Sequence, residues 1–160
     1  MPITINQQLP QGRFTVMKSG APSSVSTDDL FSNKKVVLFS VPGAFTPTCS
    51  NDHLPGYIKL HQSFKEKGID IIACLSVNDV FVMDAWCKQS KADETILFLA
   101  DGNATYTKAL GLELDATGYG MGIRGQRFSM FIEERVVKLL FIENDTGLSV
   151  SSAEHMLRAL

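Results

Sequence analysis

Cysteine is scarce in this sequence and widely scattered, with three among 160 residues at positions 49, 74 and 87. An odd number at such spacings is not the framework of a secreted disulfide-bonded domain. There is no Cys-x-x-Cys and no adjacent histidine pair, so nothing points to a zinc site or a dithiol redox motif. A monothiol type of oxidoreductase stays open. No metal or organic cofactor is implied. Long apolar runs are missing as well: Val36–Phe39 and its like fall far short of the ~20 residues that span a bilayer. No cluster of Lys and Arg occurs, and the formal net charge is -2. A nucleic-acid or anionic-membrane partner is therefore not expected. The start, Met1 to Asn6, lacks the basic and apolar regions of a signal peptide and the Arg- and Ser-rich character of a transit sequence. The terminal Arg158-Ala159-Leu160 is a poor peroxisomal signal. The expected location is the cytoplasm.

What is present suits one domain over residues 1–160: 44% hydrophobic and 20% charged residues, without repeats, linkers or low-complexity tracts. Arg13–Met17 reads as a strand of an N-terminal hairpin, and Ser26–Phe31 as a helical turn. Val36–Val41 is a β-rich apolar run of the kind buried on both faces of a sheet. Pro42-Gly43 stops it. A helical pattern follows from about Cys49 to Lys67, ended by Gly68. Ile69–Val77 is a second buried strand, and Asn78-Asp79 caps a helix running to about Gln89. Ile96–Leu99 is a third strand, and Tyr106–Leu110 a short helix. Arg127–Glu133 and Val136–Ile142 flank a Glu134-Arg135 turn as a hairpin. A helix over Ser151–Leu160 closes the chain. Alternating strands and helices with a closing hairpin predict an α/β chain with a thioredoxin-like fold. Its central mixed sheet is flanked by helices and carries an N-terminal hairpin extension.

Cys49 falls where the first central strand has ended and the next helix begins. Open α/β sheets place ligands at the carboxyl ends of their strands. A helix start offers unpaired N–H groups and partial positive charge, which favour a thiolate, the attacking species. Position alone therefore favours a nucleophile at Cys49 over a small buried hydrophobe, with both readings still open.

The residues around it carry a family resemblance. Pro42-Gly43-Ala44-Phe45-Thr46-Pro47-Thr48-Cys49 contains Pro-x-x-x-Thr-x-x-Cys, which resembles the active-site motif of peroxiredoxins. Further blocks resemble their type II, Prx5-like branch in the same order: Ser50, His53–Tyr57, Ser76–Asp79, Phe81–Met83, Ala85-Trp86, Ala100–Gly102 and Arg127–Ser129. The resemblance implies a thiol peroxidase that reduces hydrogen peroxide and alkyl hydroperoxides. Cys49 would be the peroxidatic nucleophile, passing through a sulfenic acid. Thr46 would hydrogen-bond the thiolate and the attacked oxygen, and Arg127 would bring a permanent cation to both. Pro42 would shield the sulfur, while the backbone N–H groups of Thr48 and Cys49 would supply further donors to the substrate.

Plainer roles stand beside these. Thr46 also suits a turn or N-cap, and Pro42 a strand end. Arg124 lies three residues from Arg127, and only the match to Arg-Phe-Ser favours the latter. His53 shares a helix face with Cys49 and either adds positive potential or packs. Pro55 should kink the helix, which would help its first turn unwind after oxidation.

For regeneration, animal-like members of the branch carry a resolving cysteine around the stretch matching 146–151, and this chain has none there. Plant-like members carry a second cysteine at the position of Cys74. Here that residue lies in an apolar strand, where it is either a resolving thiol or a packing residue. Cys87 matches no family position. The leading expectation is a one-Cys cycle recycled by glutathione and glutaredoxin or by thioredoxin. A homodimer is implied, with Phe45 and Phe81 as candidate exposed anchors, although core burial is the commoner fate of Phe. A non-catalytic binding module is the reading from another class, and it is disfavoured by the presence of Thr46, Cys49 and the Arg127 block.

Overall fold

The computed structural model describes residues 1–145 and 147–160; Thr146, in the stretch considered for a resolving cysteine, lies outside the described residues. A seven-stranded mixed sheet forms the frame, in the order β2-β1-β5-β4-β3-β8-β9. Its centre is β3 (Lys35–Ser40), β4 (Ile71–Ser76) and β5 (Leu97–Ala100), mutually parallel. The hairpin of β8 (Phe128–Glu133) and β9 (Val136–Ile142) adds antiparallel to β3. On the far side, β1 (Arg13–Lys18) joins β5 and pairs with the edge strand β2 (Ala21–Ser26), which contains Pro22. The predicted thioredoxin-like layout therefore stands.

Strand periodicity explains how the sheet buries both faces. Val37 and Phe39 of β3 point into one cluster with Cys49, Tyr57, Phe64, Cys74 and Trp86. Val36 and Leu38 point into the other, with Phe14, Phe31, Leu75, Leu99, Tyr106 and Met130. Helices cover these faces: α1 (Thr27–Phe31), α2 (Leu54–Lys59), α3 (His61–Glu66), α4 (Val80–Gln89), α5 (Thr105–Ala109) and α6 (Ala153–Ala159). Their starts obey capping chemistry. Asp79 accepts from the Val82 N–H at 2.9 Å, and Ser152 accepts from that of His155 at 3.1 Å.

Two features depart from the sequence expectation. The helix foreseen from Cys49 to Lys67 is not continuous. It opens at Pro47, widens into a π-helical turn over Cys49–His53, continues as α2, and breaks at Leu60 before α3. Pro55 gives the physical reason. It has no N–H for the Asn51 carbonyl, and its ring would press on that group in regular α geometry. Widening the preceding turn relieves this, so that the Leu54 N–H reaches back five residues to Cys49. Second, β6 (Glu113–Asp115) and β7 (Ile123–Gly125) form a small antiparallel arm where the sequence offered no strand pattern. Three-residue strands are too short to show period-2 alternation.

Candidate active site

The loop after β3 is bent by backbone rather than side-chain chemistry. Phe45 takes a left-handed conformation, φ +67°, unusual for a bulky residue. It is held between the Ala44 N–H, which donates to Asn78 Oδ1 at 3.0 Å, and Thr46, whose hydroxyl donates to the Gly43 carbonyl at 2.7 Å. The helix then starts at Pro47, preorganised for a first turn. Thr48 and Cys49 fall in that first turn, where helical geometry supplies no acceptor for their N–H groups.

Cys49 itself is fully buried. Arg127, on the short link between β7 and β8, is only 4% exposed and donates from Nη2 to the Cys49 sulfur at 3.1 Å. The second prong, Nη1, lies 2.9 Å from His53 Nδ1. Because a guanidinium can only donate, that ring nitrogen accepts. The other, Nε2, then carries the hydrogen and donates to the Ser151 carbonyl at 3.0 Å. Burial, followed by the neighbouring Arg127 charge, pushes the His53 pKa down to about 3. The ring is neutral. Of the two roles the sequence left open for His53, added positive potential or packing, the first does not hold: the buried ring orients the cation instead. Tyr57, one helical turn on, stacks on Phe39 and donates to the same Ser151 carbonyl at 3.0 Å.

Arg124 does something else. Its guanidinium bonds to the carbonyls of Met121, Pro42 and Val77, pinning the loop to the β6–β7 arm. The ambiguity between the two arginines is thereby resolved: Arg127 meets the sulfur. Thr46 and Pro42 line the mouth, but the Thr46 hydrogen goes to Gly43 and not to Cys49. Its oxygen lone pairs stay free to accept. The mouth is an open cleft of about 230 Å³ bounded by Pro42, Thr46, Thr48 and Arg127 on one side. Leu114, Ala116, Tyr119 and Met121 from the arm form the other, largely apolar wall. Cys74 is fully buried in central strand β4, its backbone registered to Phe39 and Phe98, and burial raises its thiol pKa well above the ordinary value. Cys87 is half-buried on α4, its pKa pushed up to about 11 chiefly by burial. Neither thiol is polarised for attack as Cys49 is by its Arg127 contact.

Comparison with known proteins fits this geometry. A family model described as Redoxin matches residues 4–157. Peroxiredoxin-2D of Arabidopsis thaliana is 45% identical over 160 residues, covering 99% of each chain. The chain belongs to the peroxiredoxins. Hybrid peroxiredoxin hyPrx5 of Haemophilus influenzae is 43% identical over 157 residues, covering 96% of this chain and 65% of the other. Among solved structures, reduced Prx3 from Vibrio vulnificus in complex with hydrogen peroxide superposes with a TM-score of 0.94 at 50% identity, with 98% of both chains covered. These relatives place this peroxiredoxin in the type II, Prx5-like branch, whose members are thiol-dependent peroxidases.

Around the peroxiredoxin motif, sequence reasoning missed the apolar arm and the buried partners Tyr57, Ser151 and Glu143. These partners lie from 8 to 102 residues from Cys49, and no local pattern links them. A buried histidine four residues after the nucleophile was the one available hint.

Proposed function

We propose that this peroxiredoxin reduces hydrogen peroxide and alkyl hydroperoxides through a sulfenic acid on Cys49, and that a thiol from outside the chain regenerates it. One observation carries the reading: the buried Arg127 guanidinium lies 3.1 Å from the Cys49 sulfur, and it takes part in none of the salt bridges among the described residues. The thiolate is its anion.

The thiolate attacks the terminal oxygen of the hydroperoxide, forming an S–O bond as the O–O bond breaks. Both electrons of that bond leave with the distal oxygen, which takes up a proton and departs as water or alcohol. Arg127 meets the charge developing on the oxygens. Thr46 accepts the hydrogen of the bound hydroperoxide, which fixes the attacked oxygen in line, and the N–H groups of Thr48 and Cys49 add donors. Pro42 keeps water from the sulfur. The apolar wall of Leu114, Ala116, Tyr119 and Met121 suits an alkyl group as well as it tolerates a bare peroxide.

A thiol then attacks the sulfenic sulfur, releasing water and leaving a mixed disulfide; a second thiol restores Cys49 and departs as the disulfide. Glutathione with glutaredoxin, or thioredoxin, supplies these thiols. Cys74 is the alternative resolver, favoured by its place in the same buried cluster as Cys49. Against it stands its position in the middle of the sheet, where a bridge would require the Cys49 turn to unfold towards it. We further propose a cytoplasmic homodimer. Phe45 and Phe81, 45% and 65% exposed, give it an apolar contact surface beside the active-site loop.

The test is single-turnover oxidation with stoichiometric hydrogen peroxide, followed by intact mass. Rapid gain of one oxygen, lost in Cys49→Ser and kept in Cys74→Ser, supports the reading. Loss of two hydrogens that depends on Cys74 would transfer resolution to that residue. A Cys49 that reacts no faster than a free thiol would sink the proposal altogether.

A further inference from the structure

We propose that Glu143 is the positioning residue for Arg127, gripping it at both ends through a closed ring of hydrogen bonds. At one end the Glu143 N–H donates to the Arg127 carbonyl at 3.0 Å. At the other, the Glu143 carboxylate collects four hydrogen bonds from the loop before α6. These come from the N–H and hydroxyl of Ser149, at 2.8 and 2.9 Å, and from those of Ser151, at 2.8 and 2.7 Å. That grip sets the direction of the Ser151 carbonyl. The carbonyl receives the His53 Nε2 hydrogen, and His53 Nδ1 receives Arg127 Nη1. The ring therefore runs from the Arg127 backbone, through Glu143, Ser151 and His53, back to the Arg127 guanidinium.

Every member except Ser149 is buried. A carboxylate is the group the geometry demands, because three donors converge on its Oε2 and a fourth on its Oε1, and a carboxamide would turn its NH2 against the donors of one or the other. The carboxylate also accounts for the guanidinium staying in place. Among the described residues Arg127 Nε has no acceptor, so the two Nη prongs orient it, and one of those depends on His53. Without the Glu143 grip, the Ser151 carbonyl is held only by the hydrogens of Tyr57 and His53, the His53 Nε2 hydrogen loses its fixed acceptor and with it half of the tautomer lock, and Nη2 drifts from the sulfur. This inference rests on the reading of Arg127 as the group that meets the peroxide.

The test compares Glu143→Gln with wild type in two reactions of Cys49, followed by mass spectrometry of its peptide: with hydrogen peroxide, which needs Arg127 at the leaving oxygen, and with iodoacetamide, which does not. The peroxide rate constant should fall about tenfold, short of the ~10²-fold that a misplacement of 1 Å can cost, and the iodoacetamide rate much less. The ¹⁵N shifts of His53 should move from one fixed tautomer towards a mixture. Should Glu143→Gln fail to fold, the Ser149→Ala, Ser151→Ala double variant removes two of the four bonds and should give a smaller change in the same direction. As a control, Ser26→Ala strips the α1 cap and lowers thermal stability without touching either rate. Equal falls in both reactions, or no change with the His53 shifts intact, would overturn the positioning role. A wild type that itself reacts slowly with peroxide would instead overturn the reading of Cys49 and Arg127 beneath it.

Discussion

His53 Nδ1 accepts from Arg127 Nη1 at 2.9 Å, and that contact fixes the charge and the tautomer of a ring buried four residues after the nucleophile. A protonated ring would set two cations against each other with no water between them. The histidine therefore serves the site as a neutral acceptor, and the guanidinium remains the permanent cation.

A pH dependence of stability follows. The His53 pKa falls from 6.5 to about 3 on folding, so between those values the unfolded chain binds a proton that the folded chain refuses. Stability from this residue is complete above pH 6.5 and lost progressively as pH falls towards 3, with a slope of roughly 1.4 kcal/mol per pH unit. Chemical denaturation between pH 6.5 and 5, above the usual carboxylate range, isolates the effect. His53→Gln should flatten the slope; a wild type flat over that window would refute the neutral ring.

Arg127→Gln should retain the fold and lower the rate constant for peroxide by about 10²- to 10³-fold, the usual loss when a donor to a developing oxyanion is removed. Arg127→Lys should recover little, because one ammonium cannot serve the Cys49 sulfur and His53 Nδ1 together. Stopped-flow mixing with hydrogen peroxide measures both, and full recovery by lysine would contradict the two-pronged geometry.

Trp86 is the single tryptophan of the chain, and its Nε1 donates at 3.0 Å to the hydroxyl of Ser50, the residue after Cys49. Oxidation of Cys49 should therefore change tryptophan fluorescence at the rate at which the protein gains oxygen. Ser50→Ala should remove most of the amplitude and leave the rate alone. Fluorescence and mass running on different time courses would break the proposed link.

Pro55→Ala restores an N–H to the helix and removes the ring pressing on the Asn51 carbonyl. The turn over Cys49–His53 should tighten towards regular α geometry, with a gain in thermal stability and a fall of about tenfold in the peroxide rate constant as the sulfur leaves Arg127. Thermal melts and the same rapid-mixing assay decide it. A variant of unchanged rate would make the wide turn a packing detail.

Much of the frame was legible because it rests on local rules. The runs Val36–Val41 and Ile69–Val77 are apolar without interruption, as strands covered on both faces must be, and they proved to be β3 and β4. Asp79 as the cap of α4 and the β8–β9 hairpin around Glu134-Arg135 were equally visible. Cys49 stood out by its place after β3 and by its flanking motif. The π-helical turn was half legible, since Pro55 announced a defect but not its form. The β6–β7 arm and the Glu143–Ser151–His53 ring were not legible. The arm has strands too short for periodicity, and the ring joins His53 to residues 74 and 98 positions further along, contacts that exist only once the sheet has closed.

The outermost strand β2, Ala-Pro-Ser-Ser-Val-Ser, bears on how copies of this chain meet one another. Pro22 removes one donor from the exposed margin of the sheet, and the small polar residues around it offer little for a neighbouring strand to bury. At the opposite margin, Val136 of β9 is already bridged by Gln8. Sheets that end in this way do not extend by adding strands from other molecules, so the protein is guarded against ladder-like aggregation. Association is steered away from the backbone edges and onto side-chain surfaces, where it can stop at a defined number of subunits.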